Sequence, residues 1–211
     1  MTGPLSVADD AAASVVAVRA QFPAGVVRSQ VGNGQMVLEV TPAAVHAILA
    51  FLKQSAQGFD YLTDLTCVEY RDPERQFEVV YQLRALARRV DLRVKVGLDP
   101  QGPLEVPTVT DLWHGAEWLE REAWDMFGVV FAGHGDLRRI LMWETYSEGH
   151  PLRKSFPLRG HWSRAEQTRQ ALNSNPEVHY SLEELSITNA YTELPEDMQA
   201  RLAKSGRGAL P

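Results

Sequence analysis

Hydrophobic and polar positions follow two periods along the chain, and the changes between them mark out the elements. Val26 to Val31 and Gln35 to Val40 are short apolar-rich runs flanking Gly32-Asn33-Gly34, a local sequence suited to positive φ angles, so a hairpin is predicted. Thr41-Pro42 supplies an N-cap and a preorganised first helical residue, and Val45, Ile48, Leu49 and Leu52 then recur at helical spacing until Gly58. An amphipathic helix follows the hairpin. Tyr61 to Cys67 reads as another strand. Between Phe77 and Val96 the period becomes two, with Phe77, Val79, Tyr81 and Leu83 on one face, then Val90, Leu92, Val94 and Val96. Half-buried antiparallel strands produce this alternation. The mildly Ala-rich beginning reads as a helix. The pattern therefore predicts an α+β fold: a two-layer domain in which a mixed, mainly antiparallel sheet carries helices on one face, followed by an extended C-terminal arm.

Between Leu98 and Pro107 the Asp-Pro, Gln-Gly-Pro and Val-Pro steps are expected to interrupt regular structure. A helical pattern resumes around Gly115 to Phe127, before Gly128. Beyond Gly160, the polar stretch with Asn173, Asn175 and Pro176 has little continuous periodicity, although Leu182, Leu185 and Glu196 to Gln199 suit short helices. Three regions result: a sheet domain over 1–106, a helix and charged loop region packed on it over 107–160, and a tail over 161–211 expected to order on partner chains.

The helix before Gly128 is the most informative segment. Ala116, Leu119, Ala123 and Met126 follow a 3-4-3 spacing and predict one buried face. Glu117, Arg121 and Asp125 are each four apart, so both carboxylates can pair with the guanidinium as a solvated charge ladder. Trp118 and Trp124 stand among these charges, a mixture suited to a protein interface. Downstream, His134, Asp136, Arg138, Arg139, His150, Arg153, Lys154 and Arg159 lie among Gly, Pro and aromatic residues without helical periodicity. An extended, charged arm is implied, whose arginines suit bidentate pairing with carboxylates of a neighbouring chain.

Composition narrows the function classes. The 211 residues are 45% hydrophobic and 23% charged, as in an ordinary globular protein with a substantial core. The formal net charge is −6 and the basic residues are dispersed apart from Arg88-Arg89 and Arg138-Arg139, so nucleic-acid binding is disfavoured. A single cysteine, Cys67, forms no intrachain disulfide and by itself ligates neither an iron–sulfur cluster nor a structural zinc. A cytosolic setting fits that usage. Met1 to Ala20 has no basic region before its apolar stretch and carries Asp9-Asp10, unlike a secretory signal or basic transit peptide. No apolar run approaches the ~20 residues needed to cross a bilayer, so any membrane association is expected to be indirect.

Three segments in order carry a resemblance. They are Glu120-Arg121-Glu122-Ala-Trp-Asp125-Met126-Phe127-Gly128, Gly133-His134-Gly-Asp136-Leu-Arg138-Arg139-Ile140-Leu141, and Glu148-Gly149-His150-Pro151-Leu152-Arg153-Lys154. With Pro107 to Trp113 upstream, this series resembles the C subunit, or 30 kDa subunit family, of respiratory complex I, the NADH-quinone oxidoreductase. The close match runs from about Pro107 to Leu158. Gly135 stands where the family commonly has Pro, Met142 to Ser147 replaces a usual Pro-Glu-Asp-Trp-like stretch, and Ser155-Phe156 replaces Asp-Tyr.

The resemblance implies a non-catalytic peripheral-arm component without a flavin, cluster or quinone of its own. It would dock beside the D and B subunits on the cytoplasmic side of the membrane, while electrons pass from NADH through flavin and iron–sulfur clusters in partner chains to quinone. No residue is then assigned to catalysis, to a cofactor or to a metal. The interface candidates are Trp118, Glu120, Arg121, Glu122, Asp125, His134, Asp136, Arg138, Arg139, His150, Arg153 and Lys154. One alternative is the equivalent component of a membrane-bound hydrogenase or ferredoxin:quinone oxidoreductase. Another is a stand-alone hydrolase using Cys67 with a histidine, or a metal held by His134, His150 and the Glu120, Glu122 and Asp125 carboxylates; no histidine pair here has the i, i+4 spacing of a helical zinc motif.

Overall fold

The computed structural model describes residues 7–174 apart from 55, 57 and 73–75. In chain order the elements are α1 (Val7–Gln21), β1 (Val26–Gly32), β2 (Gln35–Val40), α2 (Val45–Gln54), β3 (Tyr61–Glu69), β4 (Phe77–Ala85), β5 (Val90–Leu98), β6 (Glu105–Pro107), α3 (Ala116–Phe127), β7 (Val130–Ala132) and α4 (Arg164–Ser174). The chain divides into two units, one running to His161 and the other beginning at Trp162.

Five strands of the first unit form a sheet in the order β1-β2-β5-β4-β3. Within it only β2 and β5 are parallel; the other three pairings are antiparallel. The mixed, mainly antiparallel sheet expected from the alternation is therefore present. At the β1–β2 turn Asn33 and Gly34 have φ of 52° and 76°, the two positive values that a two-residue hairpin of matching twist requires. This pins Gly32 opposite Gln35 and Val31 opposite Met36.

The covered face of the sheet is the core. Phe77, Val79, Tyr81 and Leu83 of β4 and Val90, Leu92, Val94 and Val96 of β5 are all buried, as are Val45, Ile48, Leu49 and Leu52 of α2 and Ala11, Val15 and Val18 of α1. Helix α1 packs on β2 and β5, and α3 packs on β3. Each fully buried aliphatic side chain contributes about 1.5–3 kcal/mol relative to exposure, so this layer supplies most of the driving force. The helix-free face carries cross-strand polar pairs instead: Arg28 with Glu39 at 2.8 Å, Lys95 with Glu78 at 2.8 Å, and Arg93 Nε donating to Gln82 at 3.1 Å.

Two elements depart from the sequence reading. The Leu98 to Pro107 stretch, expected to be irregular, contains β6, which runs parallel to β7 with Val106 opposite Phe131. Both side chains are buried, and this small sheet holds the two ends of the α3 segment together. In the second unit, residues 164–174 of the expected extended arm form α4. Ser163 Oγ accepts from the Glu166 amide at 3.3 Å, and Glu166 pairs with Arg169 at 2.7 Å, a capped helix start. The short helices expected at Leu182, Leu185 and Glu196 to Gln199, and the rest of the tail, lie outside the described residues.

Candidate functional site

Helix α3 buries more than its apolar stripe. Ala116, Ala123 and Met126 are buried as the spacing predicts and Leu119 is half-buried, but Glu120, Arg121 and Asp125 are buried too. Three charged side chains on an enclosed face need partners, because an unpaired buried charge is strongly destabilising.

Each finds its partners within the chain. Glu120 accepts from Thr108 Oγ1 at 2.6 Å and from the Val109 amide at 2.7 Å. Burial raises its pKa above the usual value despite those two donors. Arg121 donates from Nε to the Arg138 carbonyl at 3.2 Å and from Nη2 to the Arg139 carbonyl at 2.9 Å. Asp125 is the centre of the arrangement. Its Oδ2 accepts from the amides of Ile140, Leu141 and Met142 at 3.0, 2.8 and 2.8 Å, and its Oδ1 from Arg139 Nη1 at 2.6 Å. Burial works to raise its pKa, but the amides of Met142 and Ile140, the Arg139 guanidinium and the Leu141 amide outweigh it, and the net shift is downward from 3.8. Asp125 is held as a carboxylate.

The Glu117–Arg121–Asp125 ladder that the spacing allows is accordingly absent. Helical spacing permits that pairing, but the carboxylate of Asp125 and the guanidinium of Arg121 are both engaged by the 138–142 segment, which leaves Glu117 at the surface. Nor do the charges of this region reach outward as an open arm. The 134–153 stretch folds back over α3.

That stretch also completes the C-terminus of α3, whose last four carbonyls have no partner in the helix itself. The Trp124 carbonyl accepts from the Gly128 amide at 2.7 Å and the Met126 carbonyl from the Leu152 amide at 3.1 Å. The Asp125 carbonyl takes His150 Nδ1 at 3.0 Å, and the Phe127 carbonyl takes Arg153 Nε at 2.6 Å. Gly128 has φ of 76°, and a Cβ there would lie 2.6 Å from both Arg153 and His150, so glycine alone admits this closure. Two arginines beside a helix C-terminus also complement its dipole. Arg139 is sandwiched, its guanidinium 5.6 Å from the Trp124 ring and 5.0 Å from the Tyr146 ring. Its Nη2 donates to the Gly149 carbonyl at 3.1 Å. Because a carbonyl only accepts, His150 carries its proton on Nδ1, and burial, reinforced by Arg153 and Arg139, keeps the ring below its usual pKa of 6.5.

The twelve expected interface residues thus separate. Glu120, Arg121, Asp125, Arg139, His150 and Arg153 form the inner latch. His134 bridges, its Nε2 donating to the Glu117 carbonyl at 3.2 Å while Nδ1 accepts from the Asp136 amide at 3.0 Å. Trp118, Glu122, Asp136, Arg138 and Lys154 are exposed; Arg138 pairs with Asp136 at 2.7 Å across the surface. The Lys154 amide donates to buried Glu69 at 2.6 Å, tying the loop to β3. Thr108, Glu69, Tyr146 and Gly128 belong to the same construction and were not singled out from sequence; only Gly128, directly after a helical run, carried a local signal.

Among the described residues neither hydrolase arrangement is assembled. Cys67 is buried, and burial pushes its thiol up to about 12, with Glu69 acting in the same direction, so it stays protonated near neutral pH. Among the described residues no group of three His, Cys, Asp or Glu could hold a metal ion, and no helix is long and apolar enough to cross a membrane.

Comparison with known proteins agrees with the quoted segments. The family described as "Respiratory-chain NADH dehydrogenase, 30 Kd subunit" matches residues 38–162. The chain is 46% identical over 136 residues to the C subunit of the NADH-quinone oxidoreductase of Agrobacterium fabrum, an alignment covering 64% of this chain and 66% of that protein. It is 42% identical over 148 residues to the C 2 subunit of the Rhizobium meliloti enzyme, covering 70% and 80%. Among solved structures, the trypsin-resistant fragment of Nqo5 superposes with a TM-score of 0.53 at 30% identity, over 61% of this chain and 99% of the fragment. A chain of the membrane-bound sulfane sulfur reductase, an archaeal respiratory membrane complex, gives 0.59 over 74% of this chain and 88% of that one. At 22% identity the latter is a likeness of fold alone.

Proposed function

Because the chain belongs to the family of the 30 kDa subunit of respiratory-chain NADH dehydrogenase, we propose that it is a docking component of a proton-pumping NADH:quinone oxidoreductase and performs no chemistry itself. One observation carries the reading: Arg121 and Asp125 of α3 hold the 138–142 segment against the helix and Glu120 is engaged by Thr108 and Val109, leaving none of the buried charges of α3 open to a substrate. Six of the twelve candidates are spent internally, and the exposed ones sit on a scaffold whose shape is set before any partner arrives. A preorganised surface of this kind loses little entropy on association.

On this reading flavin, iron–sulfur clusters and quinone reside in other chains, since the sole cysteine is a buried thiol. The partners are the large D subunit, which carries the quinone site, and the cluster-bearing B subunit. The chain sits peripherally on the cytoplasmic side of the membrane, held there through them. Identities of 42–46% to NADH-quinone oxidoreductase subunits support this machine over a related hydrogenase or ferredoxin:quinone oxidoreductase.

The test is to recover the native complex from membranes through a tag on this chain and identify its companions by mass spectrometry. A flavoprotein, the D and B subunits, and NADH:quinone reductase activity are expected together. Recovery of the chain alone as a soluble monomer would overturn the proposal.

A further inference from the structure

Trp118 is 57% exposed on α3, although few side chains gain more from burial than tryptophan. It is nevertheless fixed. The Arg121 guanidinium lies 5.1 Å from the ring centroid, and Arg121 is itself held by the Arg138 and Arg139 carbonyls. The aromatic surface left to solvent is therefore a rigid platform.

The surroundings of that platform are acidic. Glu117 precedes Trp118 and Glu122 follows one turn later, both exposed. The His134 bond to the Glu117 carbonyl brings the Asp136–Arg138 segment alongside the start of α3. Glu117 and Glu122 thus flank Trp118 on its own helix, while Arg138 is already paired with Asp136 at 2.7 Å and the Arg121 guanidinium is tucked against the ring. The open face of an indole carries negative electrostatic potential and favours a cation; rim carboxylates favour the same partner and disfavour an acidic one.

We propose that this face receives an arginine- or lysine-bearing segment of a neighbouring subunit, stacked on the open side of Trp118 and paired with the carboxylates around it. The proposal rests on the docking reading above and adds the chemistry of the partner.

Two measurements on the assembled membrane complex test it. A photo-crosslinking amino acid placed at position 118 should attach to a peptide of another subunit that contains arginine or lysine next to the attachment point. Attachment to this chain, to a second copy, or to an apolar or acidic peptide would overturn it, as would no attachment in a complex that contains the labelled chain. Separately, Trp118→Lys should lower co-purified partner subunits by about tenfold or more at low salt, while Trp118→Phe should stay within about twofold of wild type. If the lysine variant does not fold by circular dichroism, the exposed pair Glu117→Lys with Glu122→Lys takes its place with the same expected loss. Equal recovery of partners in wild type and charge-reversed variants sinks this inference alone, whereas a wild-type chain that brings down no partners sinks the docking reading with it.

Discussion

Asp125 shows how one side chain sets a local structure. Its carboxylate accepts three successive amides and an arginine in a fully enclosed position, so Asp125→Ala strands Arg139, whose side chain is 11% exposed. A loss of about 3–5 kcal/mol in denaturant unfolding of the isolated chain is expected. The pH dependence has a definite sign. The folded pKa lies below the ordinary 3.8, so the stabilisation is fully present above that ordinary value and is lost as pH falls through the folded one. Acid titration of Asp125→Asn should accordingly show a flatter decline in that window than wild type. Cys67 offers a contrast, since its thiol packs in the core. Cys67→Ser places a hydroxyl in an apolar site and should lower stability by about 1–3 kcal/mol, yet leave quinone reductase activity per bound flavin unchanged in membranes. Loss of that normalised activity in an assembled variant would refute the packing role.

At the scale of elements, Gly128 closes α3 with positive φ and no room for a Cβ. Gly128→Ala should therefore cost more than the roughly 1–2 kcal/mol of left-handed strain alone, because His150 or Arg153 must also withdraw from a helix carbonyl; a smaller loss in thermal or denaturant unfolding would show that the loop can shift freely. How far such features could be read in advance depended on range. The strands β4 and β5 were legible because period two is local, and so was the Asn33-Gly34 hairpin; the apolar spacing of α2 was legible as well, but the helix begins at Val45 after a turn over 42–44, so Thr41 and Pro42 are not its cap and first residue. The β6–β7 pairing was not, since three residues carry no periodicity and their partner lies beyond α3. Helix α4 has too few apolar positions to show helical periodicity, though Ser163-Arg164-Ala165-Glu166 has the spacing of a capping box. In the site, the residue types were legible and their partners were not. Four-residue spacing on α3 suggested a ladder within the helix, whereas the outcome was decided by amides 15 to 17 positions downstream.

For the whole molecule, the difference between inner and outer charges separates folding from assembly. Arg139 and Asp125 are enclosed, while Arg138 and Asp136 are 60% and 51% exposed. Arg139→Ala should thus reduce assembled complex on native gels by destabilising this chain. Arg138→Ala should leave the unfolding midpoint of the isolated chain essentially unchanged and lower assembly only through the surface it presents. Normal assembly with abolished flavin-normalised activity in either variant would instead point to direct participation in quinone chemistry. The parallel pairing inside the five-stranded sheet, Met36 to Val40 against Leu92 to Val96, bears on how the chain is made. During vectorial synthesis the β1–β2 hairpin emerges early, but its place in the sheet exists only after α2, β3, β4 and then β5 have left the ribosome. Until then β2 and β4 each present a bare apolar edge, the kind of surface that chaperones shield and that recruits strands from other nascent chains. A chain stopped at Arg89 should for that reason collect in inclusion bodies, and one reaching Leu98 should be the shortest in which both edges are joined.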